Sequence, residues 1–183
     1  MYKGLYECFK HWYRGGQIYF YSDPHFTDDE MKYLRKNYIG DGEQIKRINS
    51  KMGKCDTLII LGDIGNKEYL KKIRGYKVLI MGNHDTGAST YEGYVDEIYE
   101  GPLIISEKII LSHEPISLSF MFNIHGHTHS NKTPITKNQY DMCAEHINYT
   151  PVSLKSIIES GMLKNITSIH RMTIDDATAR KKK

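Results

Sequence analysis

The chain has 183 residues, a formal net charge of +3, and 26% charged against 39% hydrophobic residues. That length supports a substantial core but not two ordinary domains with a linker, and no Pro/Gly/Ser-rich stretch or internal repeat divides it. We expect one domain over residues 1–175 and a disordered basic tail over 176–183, ending Arg180-Lys181-Lys182-Lys183. The charge is too mild to imply a polyanionic partner, and no stretch approaches the roughly 20 apolar residues of a membrane span. Cys8, Cys55 and Cys143 are an odd number without metal-like spacing, and the N-terminus lacks an apolar signal core. A reducing compartment follows, with the cytoplasm as the expected location.

In chain order, Ile18–Tyr21 reads as a strand, and Asp28-Asp29-Glu30 opens a helix, acidic residues favouring its N-terminal end. The helical pattern breaks at Gly40-Asp41-Gly42 and resumes over Glu43–Lys51, with Ile45 and Ile48 at helical spacing. Thr57–Leu61 is the next strand. Asn66 is placed to cap a helix over Lys67–Ile73 that Gly75 ends, and Lys77–Met81 is a third strand. This βαβαβ order calls for parallel pairing. The character then changes. Leu103–Ile105 and Lys108–Leu111, separated by Ser106-Glu107, form a predicted antiparallel hairpin. Phe120–Ile124 and Gln139–His146 are further strands, and Ser153–Ser160, after Pro151, is a short helix.

Five of these apolar runs end in residues that can bind a metal. The first leads to Asp23 and His25, the second to Asp63 and the third to Asn83; Lys108–Leu111 leads to His113, and Phe120–Ile124 to His127 and His129. Short, nearly continuous runs rich in Ile, Val and Leu are what buried strands look like. Residues at the C-terminal ends of such strands gather along one sheet edge, where α/β proteins place their sites. Imidazole and carboxylate oxygen suit Mn, Fe, Zn or Ni better than Ca, and the lack of thiolate disfavours a soft metal. Two divalent ions about 3.5–4 Å apart can clamp an in-line phosphoryl displacement and deprotonate a shared water. An amide at position 83 coordinates without adding charge. Two such cations against Asp23, Asp63 and one hydroxide therefore leave a positive surplus that draws in a phosphate ester. His84 is not needed as a ligand and stands where a general acid is wanted.

The ordered set SDPH, LGDIGN, MGNHD, LSHEP and HGHTHS resembles the calcineurin-like metallophosphoesterase superfamily, over Asp23 to His129. The resemblance implies an α/β fold, a two-sheet β-sandwich flanked by helices. It also implies two divalent metal ions, manganese first, with Fe, Zn, Ni or Mg as alternatives. Asp23, His25 and His129 would hold one ion, Asn83, His113 and His127 the other, and Asp63 would bridge them. A bridging hydroxide would attack phosphorus, His84 would protonate the leaving alkoxide, and Asp85 would orient His84. The expected activity is hydrolysis of small phosphate esters, diesters ahead of monoesters because no arginine pair is placed to grip a dianion. A nuclease of the same fold is the alternative and would need a basic, aromatic-lined track. A non-catalytic interaction module fits less well with His84 and all seven ligands retained. Relatives often carry Gly-His soon after the DxHF segment; here Thr27-Asp28 follows Phe26, so a substrate contact there does not carry over.

The remaining histidines have plainer readings. His125 extends the alternation of His127 and His129 but stays outside the ligand set, as a packing residue or a partner of the ligands. His11, His146 and His170 match no motif and are surface or packing residues, although His146 and Tyr149 are also candidates for a substrate groove wall. Twelve of the fourteen tyrosines precede Gly101, and amphipathic packing, ring buried and hydroxyl wet, accounts for them.

Overall fold

The computed structural model describes residues 3–129 and 137–170, so the expected basic tail lies outside the described residues. Two sheets form the framework. The first contains Ile18–Tyr21 (β1), Thr57–Ile60 (β2), Tyr76–Ile80 (β3), Glu97–Tyr99 (β4) and Val152–Ser153 (β9), ordered β4-β3-β2-β1-β9. β1 to β4 run parallel, and β9 joins the free side of β1 antiparallel. The second contains Leu103–Ile104 (β5), Ile109–Leu111 (β6), Phe122–His125 (β7) and Gln139–Asp141 (β8), in that order across the sheet. β5 and β6 form the expected antiparallel hairpin, and β6, β7 and β8 are parallel. Helices Met31–Leu34 (α1), Asp41–Lys51 (α2) and Leu154–Glu159 (α3) flank the sheets, with 3₁₀ turns at Glu7–Trp12, Lys67–Lys72 and Ala88–Tyr91. This is the expected two-sheet α/β architecture. Among the described residues, no helix is long and apolar enough to cross a membrane.

Both faces of the first sheet are buried, which is why its strands lack polar alternation. Phe20, Ile59, Leu61, Val78 and Ile80 join Ile109, Leu111, Phe122 and Ile124 of the second sheet in one apolar cluster. Their neighbours Tyr21, Leu58, Ile60 and Leu79 join Ile45 and Ile48 of α2 and Leu70 in a second cluster. Each fully buried side chain of this size contributes about 1.5–3 kcal/mol, and a one-residue slip would exchange the two sets. Register is therefore fixed by packing, and with it the direction in which each strand delivers its last residues.

Several boundaries differ from the sequence reading for local reasons. The first helix is a single turn, Met31–Leu34, while Asp28 Oδ1 accepts from the Glu30 N–H in the turn before it. α2 starts at Asp41 because Gly40, at φ 72°, takes the turn that precedes it. Asn66 does cap the next element, accepting from the Glu68 N–H at 3.0 Å, but the element is a 3₁₀ turn ending at Lys72. The strand placed at Phe120–Ile124 shifts to Phe122–His125, and the one placed at Gln139–His146 stops at Asp141. β4 and β9 were not anticipated: each is two or three residues long and is held by its neighbour rather than by its own pattern. α3 begins at Leu154, with Ser153 Oγ capping the Ser156 N–H at 3.0 Å.

Candidate metal centre

The parallel strands of both sheets end at one rim. Asp23 and His25 follow β1, Asp63 follows β2, Asn83 follows β3, His113 follows β6, and His127 and His129 follow β7. Backbone and side-chain bonds tie the two sheets together there: His113 Nδ1 bonds the Leu61 carbonyl at 2.7 Å, and the His127 N–H donates to Asp23 Oδ2 at 2.9 Å. Asp23, His25, Asp63, His127 and His129 all have left-handed backbone, with φ between 44° and 71°. Such residues cost about 1–3 kcal/mol each and persist where the surroundings over-determine them, a pattern concentrated at functional sites.

Two ligand groups emerge. Asp23, His25, Asp63 and His129 each offer one atom to a common space, with all four atoms within 4.8 Å of one another. Asp63, His113 and His127 do the same beside it, and Asn83 Oδ1 lies 2.8 Å from His113 Nε2 and 3.0 Å from His127 Nδ1. Asp63 belongs to both groups. Its Oδ1 accepts from the His84 N–H at 2.9 Å, leaving Oδ2 3.5 Å from His25 Nε2 and 3.4 Å from His113 Nε2. Asp23 divides its oxygens in the same way. Oδ2 takes the His127 N–H and the Cys143 thiol, while Oδ1 faces His129 Nε2 at 3.6 Å and His25 Nε2 at 4.0 Å.

The donor set fits divalent cations on electronic grounds. Asp23 Oδ1 and His25 Nε2 are buried with no hydrogen-bond partner, although each faces the other across the same space. The Leu61 carbonyl can only accept, so His113 Nδ1 donates to it, and a ring carrying that single proton turns an Nε2 lone pair toward the Asn83 oxygen. Lone pairs converging without donors repel unless a cation lies between them. Ligand atoms at about 2.0–2.2 Å from one ion would be separated by about 3–3.5 Å, close to most separations seen here.

Glycines make the convergence sterically feasible. A Cβ at Gly126 would lie 1.9 Å from Ser22 Oγ and 2.2 Å from Asp23 Oδ2. One at Gly82 would lie 2.3 Å from Asp63 Oδ1, and Gly62, at φ 91°, packs its Cα side against Gly82 and His113. Asp85 performs a related task. Its oxygens accept from the backbone N–H groups of Asp63 at 2.9 Å, Ile64 at 3.0 Å and Gly82 at 2.8 Å, and from the Tyr91 hydroxyl at 2.7 Å. The role expected for Asp85, orienting the His84 ring, is therefore corrected: its carboxylate is occupied in pinning the β2 and β3 loops. His84 itself is exposed, held by its N–H on Asp63, with its ring 5.6 Å from that of His25.

Charges in the centre are mutually adjusted. Burial alone would raise the Asp63 carboxyl, but His25, His113 and the His84 N–H together hold it below the usual carboxylate range. Burial would lower the His129 imidazole, yet Glu145 and Asp23 raise it above an ordinary histidine. Glu145 in turn is brought down, against its burial, by His129 and Arg35. Neither Glu145 nor Arg35 carried a sequence signal, because each belongs to no motif and acquires its partners only across the fold.

A third group, Asp141, Cys143 and His146, lies behind the first. Its atoms already satisfy one another: Asp141 Oδ2 accepts from Thr128 and from His146 Nδ1 (2.8 Å), and Oδ1 accepts from the Cys143 N–H at 2.8 Å. Burial, then the nearby carboxylates of Asp23, Asp141 and Glu145, push the Cys143 thiol far up, and the thiol donates to Asp23 Oδ2 at 3.3 Å. His125 is buried and bonds the Gly126 carbonyl, in keeping with its packing role. Tyr149, expected as a groove wall, is instead fully buried within the cluster under α2, because the turn after β8 brings it back beneath the first sheet.

A cavity of about 300 Å³ opens beside Asn83 and His113, lined by Met81, Pro102 and Ile116, with Glu100 and Glu114 among its walls. No protein-family model and no curated protein matches the chain. Among solved structures, the protein of unknown function AQ665 from Aquifex aeolicus superposes with a TM-score of 0.66 at 27% identity. The match covers 78% of this chain and 98% of that one, so the architecture is shared almost throughout the Aquifex protein. The nuclease MPE from Pseudomonas putida gives a TM-score of 0.45 at 22% identity over 64% of each chain.

Proposed function

We propose that this chain is a metal-dependent phosphoric ester hydrolase of the calcineurin-like metallophosphoesterase type, acting on small phosphate esters with diesters preferred. The observation that carries this reading is Asp63 Oδ2, a single carboxylate oxygen shared between two converging ligand groups. Asp23, His25 and His129 would hold one divalent ion, Asn83, His113 and His127 the other, and Asp63 both; manganese suits these ligands. Bound there, the ions would supply Lewis acidity and an acidified water. The protein's own part is positioning and proton transfer. Asn83 and His113 are among the residues that line the cavity, where the ester's organic portion would sit. His84, exposed and anchored through its backbone, would deliver a ring proton to the leaving-group oxygen.

The cavity supports a small substrate over a polyanion. About 300 Å³ is the lower end for small-molecule sites, and Glu100 and Glu114 would repel a second phosphate. A nuclease reading draws on one contrary observation. Lys67 and Lys71 lie over the Tyr94 ring at 4.9 and 4.5 Å, and Lys72 lies over Tyr69 at 4.1 Å, directly after the Asp63 loop. Those lysines are partly spoken for, Lys71 by Glu68 at 2.8 Å and Lys67 by the Thr90 carbonyl at 2.9 Å.

Hydrolysis of bis-p-nitrophenyl phosphate and p-nitrophenyl phosphate, after metal stripping and Mn²⁺ addition, tests the proposal. Metal-dependent diester turnover is the expected result, and on a diester with an alkyl leaving group, whose alkoxide needs the proton that p-nitrophenolate does not, His84→Ala should lose at least about 100-fold with metal uptake retained. Full activity of His84→Ala on that ester removes it as the acid. No turnover with any divalent metal in folded protein refutes the hydrolase reading. Oligonucleotide cleavage that weakens steeply with salt would favour the nuclease.

A further inference from the structure

Behind the first ligand group, one buried guanidinium reaches two of its members. The Arg35 side chain is fully buried. Its Nη2 donates to the backbone carbonyl of Asp23 at 2.6 Å, and its Nε lies 3.2 Å from Glu145 Oε2. The other oxygen of Glu145 accepts from His129 Nδ1 at 2.9 Å. Arg35 comes from the residue after α1 and Glu145 from the turn after β8, so the connection exists only in the folded chain.

The consequences are geometric. A carboxylate can only accept, so Glu145 keeps the His129 proton on Nδ1 and leaves the Nε2 lone pair facing Asp23 Oδ1 at 3.6 Å. Arg35 fixes the other end of that contact through the Asp23 carbonyl. The contact with Glu145 is an ion pair without hydrogen-bond geometry, so the Nη2 bond to the Asp23 carbonyl sets the direction, and a lysine ammonium cannot make both contacts in this arrangement. The opposite charges of Arg35 and Glu145 cancel, so the pair orients ligands without changing the net charge of the centre. Partners of this kind typically alter metal affinity by about 10–100-fold. The second group is supported differently: His113 takes its tautomer from the Leu61 carbonyl and touches neither Arg35 nor Glu145.

We propose that Arg35 and Glu145 are positioning residues for the first cation position alone, so that the two ions are held at independently supported sites. This rests on the two-ion reading above. Its test is titration of the metal-stripped full chain with Mn²⁺ alone, following heat and counting bound metal by elemental analysis. Wild-type protein should take up two ions. Glu145→Gln and Glu145→Ala should weaken one of them by about 10–100-fold, Ala more than Gln, and leave the other unchanged or only slightly weaker as a carboxylate is lost nearby. Arg35→Lys should act on the same ion, and His113→Ala on the other. Thermal midpoints of the metal-free variants separate positioning from general damage: Glu145→Gln should unfold within a few degrees of wild type while still losing that ion. Two ions bound with wild-type affinities in both Glu145 variants, or equal weakening of both ions, overturns the inference. Fewer than two ions in wild-type protein overturns the two-ion reading and this inference with it.

Discussion

Adjacent residues Asp85 and His84 should differ sharply in what their truncation costs in stability, and the difference can be worked from their contacts. Asp85→Ala removes the acceptor for three backbone N–H groups and the Tyr91 hydroxyl, at 2.7–3.0 Å. Bonds to a charged group contribute about 1.5–3 kcal/mol each, and donors left dry cost a comparable amount. Asp85 is only half-buried, so water can replace part of this set. Counting two of the four bonds at the low end gives a loss of about 3 kcal/mol. Tyr91→Phe removes one bond and should cost about 1.5 kcal/mol on the same scale. His84→Ala deletes an exposed ring and should stay within about 0.5 kcal/mol of wild type. Urea unfolding of metal-free protein at neutral pH measures all three, with an unchanged m-value confirming that only stability moved. A loss below about 1 kcal/mol in Asp85→Ala, or an equal loss in His84→Ala, would refute the assignment of Asp85 as the clamp on the β2 and β3 loops.

Gly126→Ala should abolish uptake of at least one metal ion, because its Cβ would displace Asp23 Oδ2 or Ser22 Oγ, whereas Gly42→Ala meets nothing within 4 Å and should leave uptake intact; elemental analysis decides. In the acid range, burial would raise the Asp141 carboxyl, but bonds from His146, Thr128 and the Cys143 N–H bring it down to about 2. A folded value below the unfolded 3.8 means stability that is present above that value and lost as pH falls from about 4 to about 2. The amount is on the order of 2 kcal/mol, and urea midpoints of Asp141→Asn should show a flatter acid limb than wild type. Finally, Mn²⁺ at about 100 times its dissociation constant should raise stability by about 2.7 kcal/mol per ion, reversed by chelation; a thermal midpoint indifferent to both metal and chelator would argue against a metal centre.

The sequence by itself determined which strands would be buried and which residues would follow them. Asp23, His25, Asp63, Asn83, His113, His127 and His129 were legible because each stands two to five residues beyond an apolar run, and that distance is set by local chain geometry. Strand type and the β5–β6 hairpin were legible for the same reason. The two-residue β9 was not, since it exists only by pairing with β1 across more than half the chain. Nor was the true work of Asp85, whose neighbours in sequence suggested the His84 ring while two of its four bonds go to a loop over twenty residues away. Tyr149 looked like a wall residue until a turn carried it under α2. Only the tertiary structure set Arg35 against Glu145, more than a hundred residues away in sequence, and Glu145 against His129. Apolar periodicity is a local signal that any window of sequence carries, whereas the partner of a buried charge is chosen by desolvation, which acts only after the chain has closed around it.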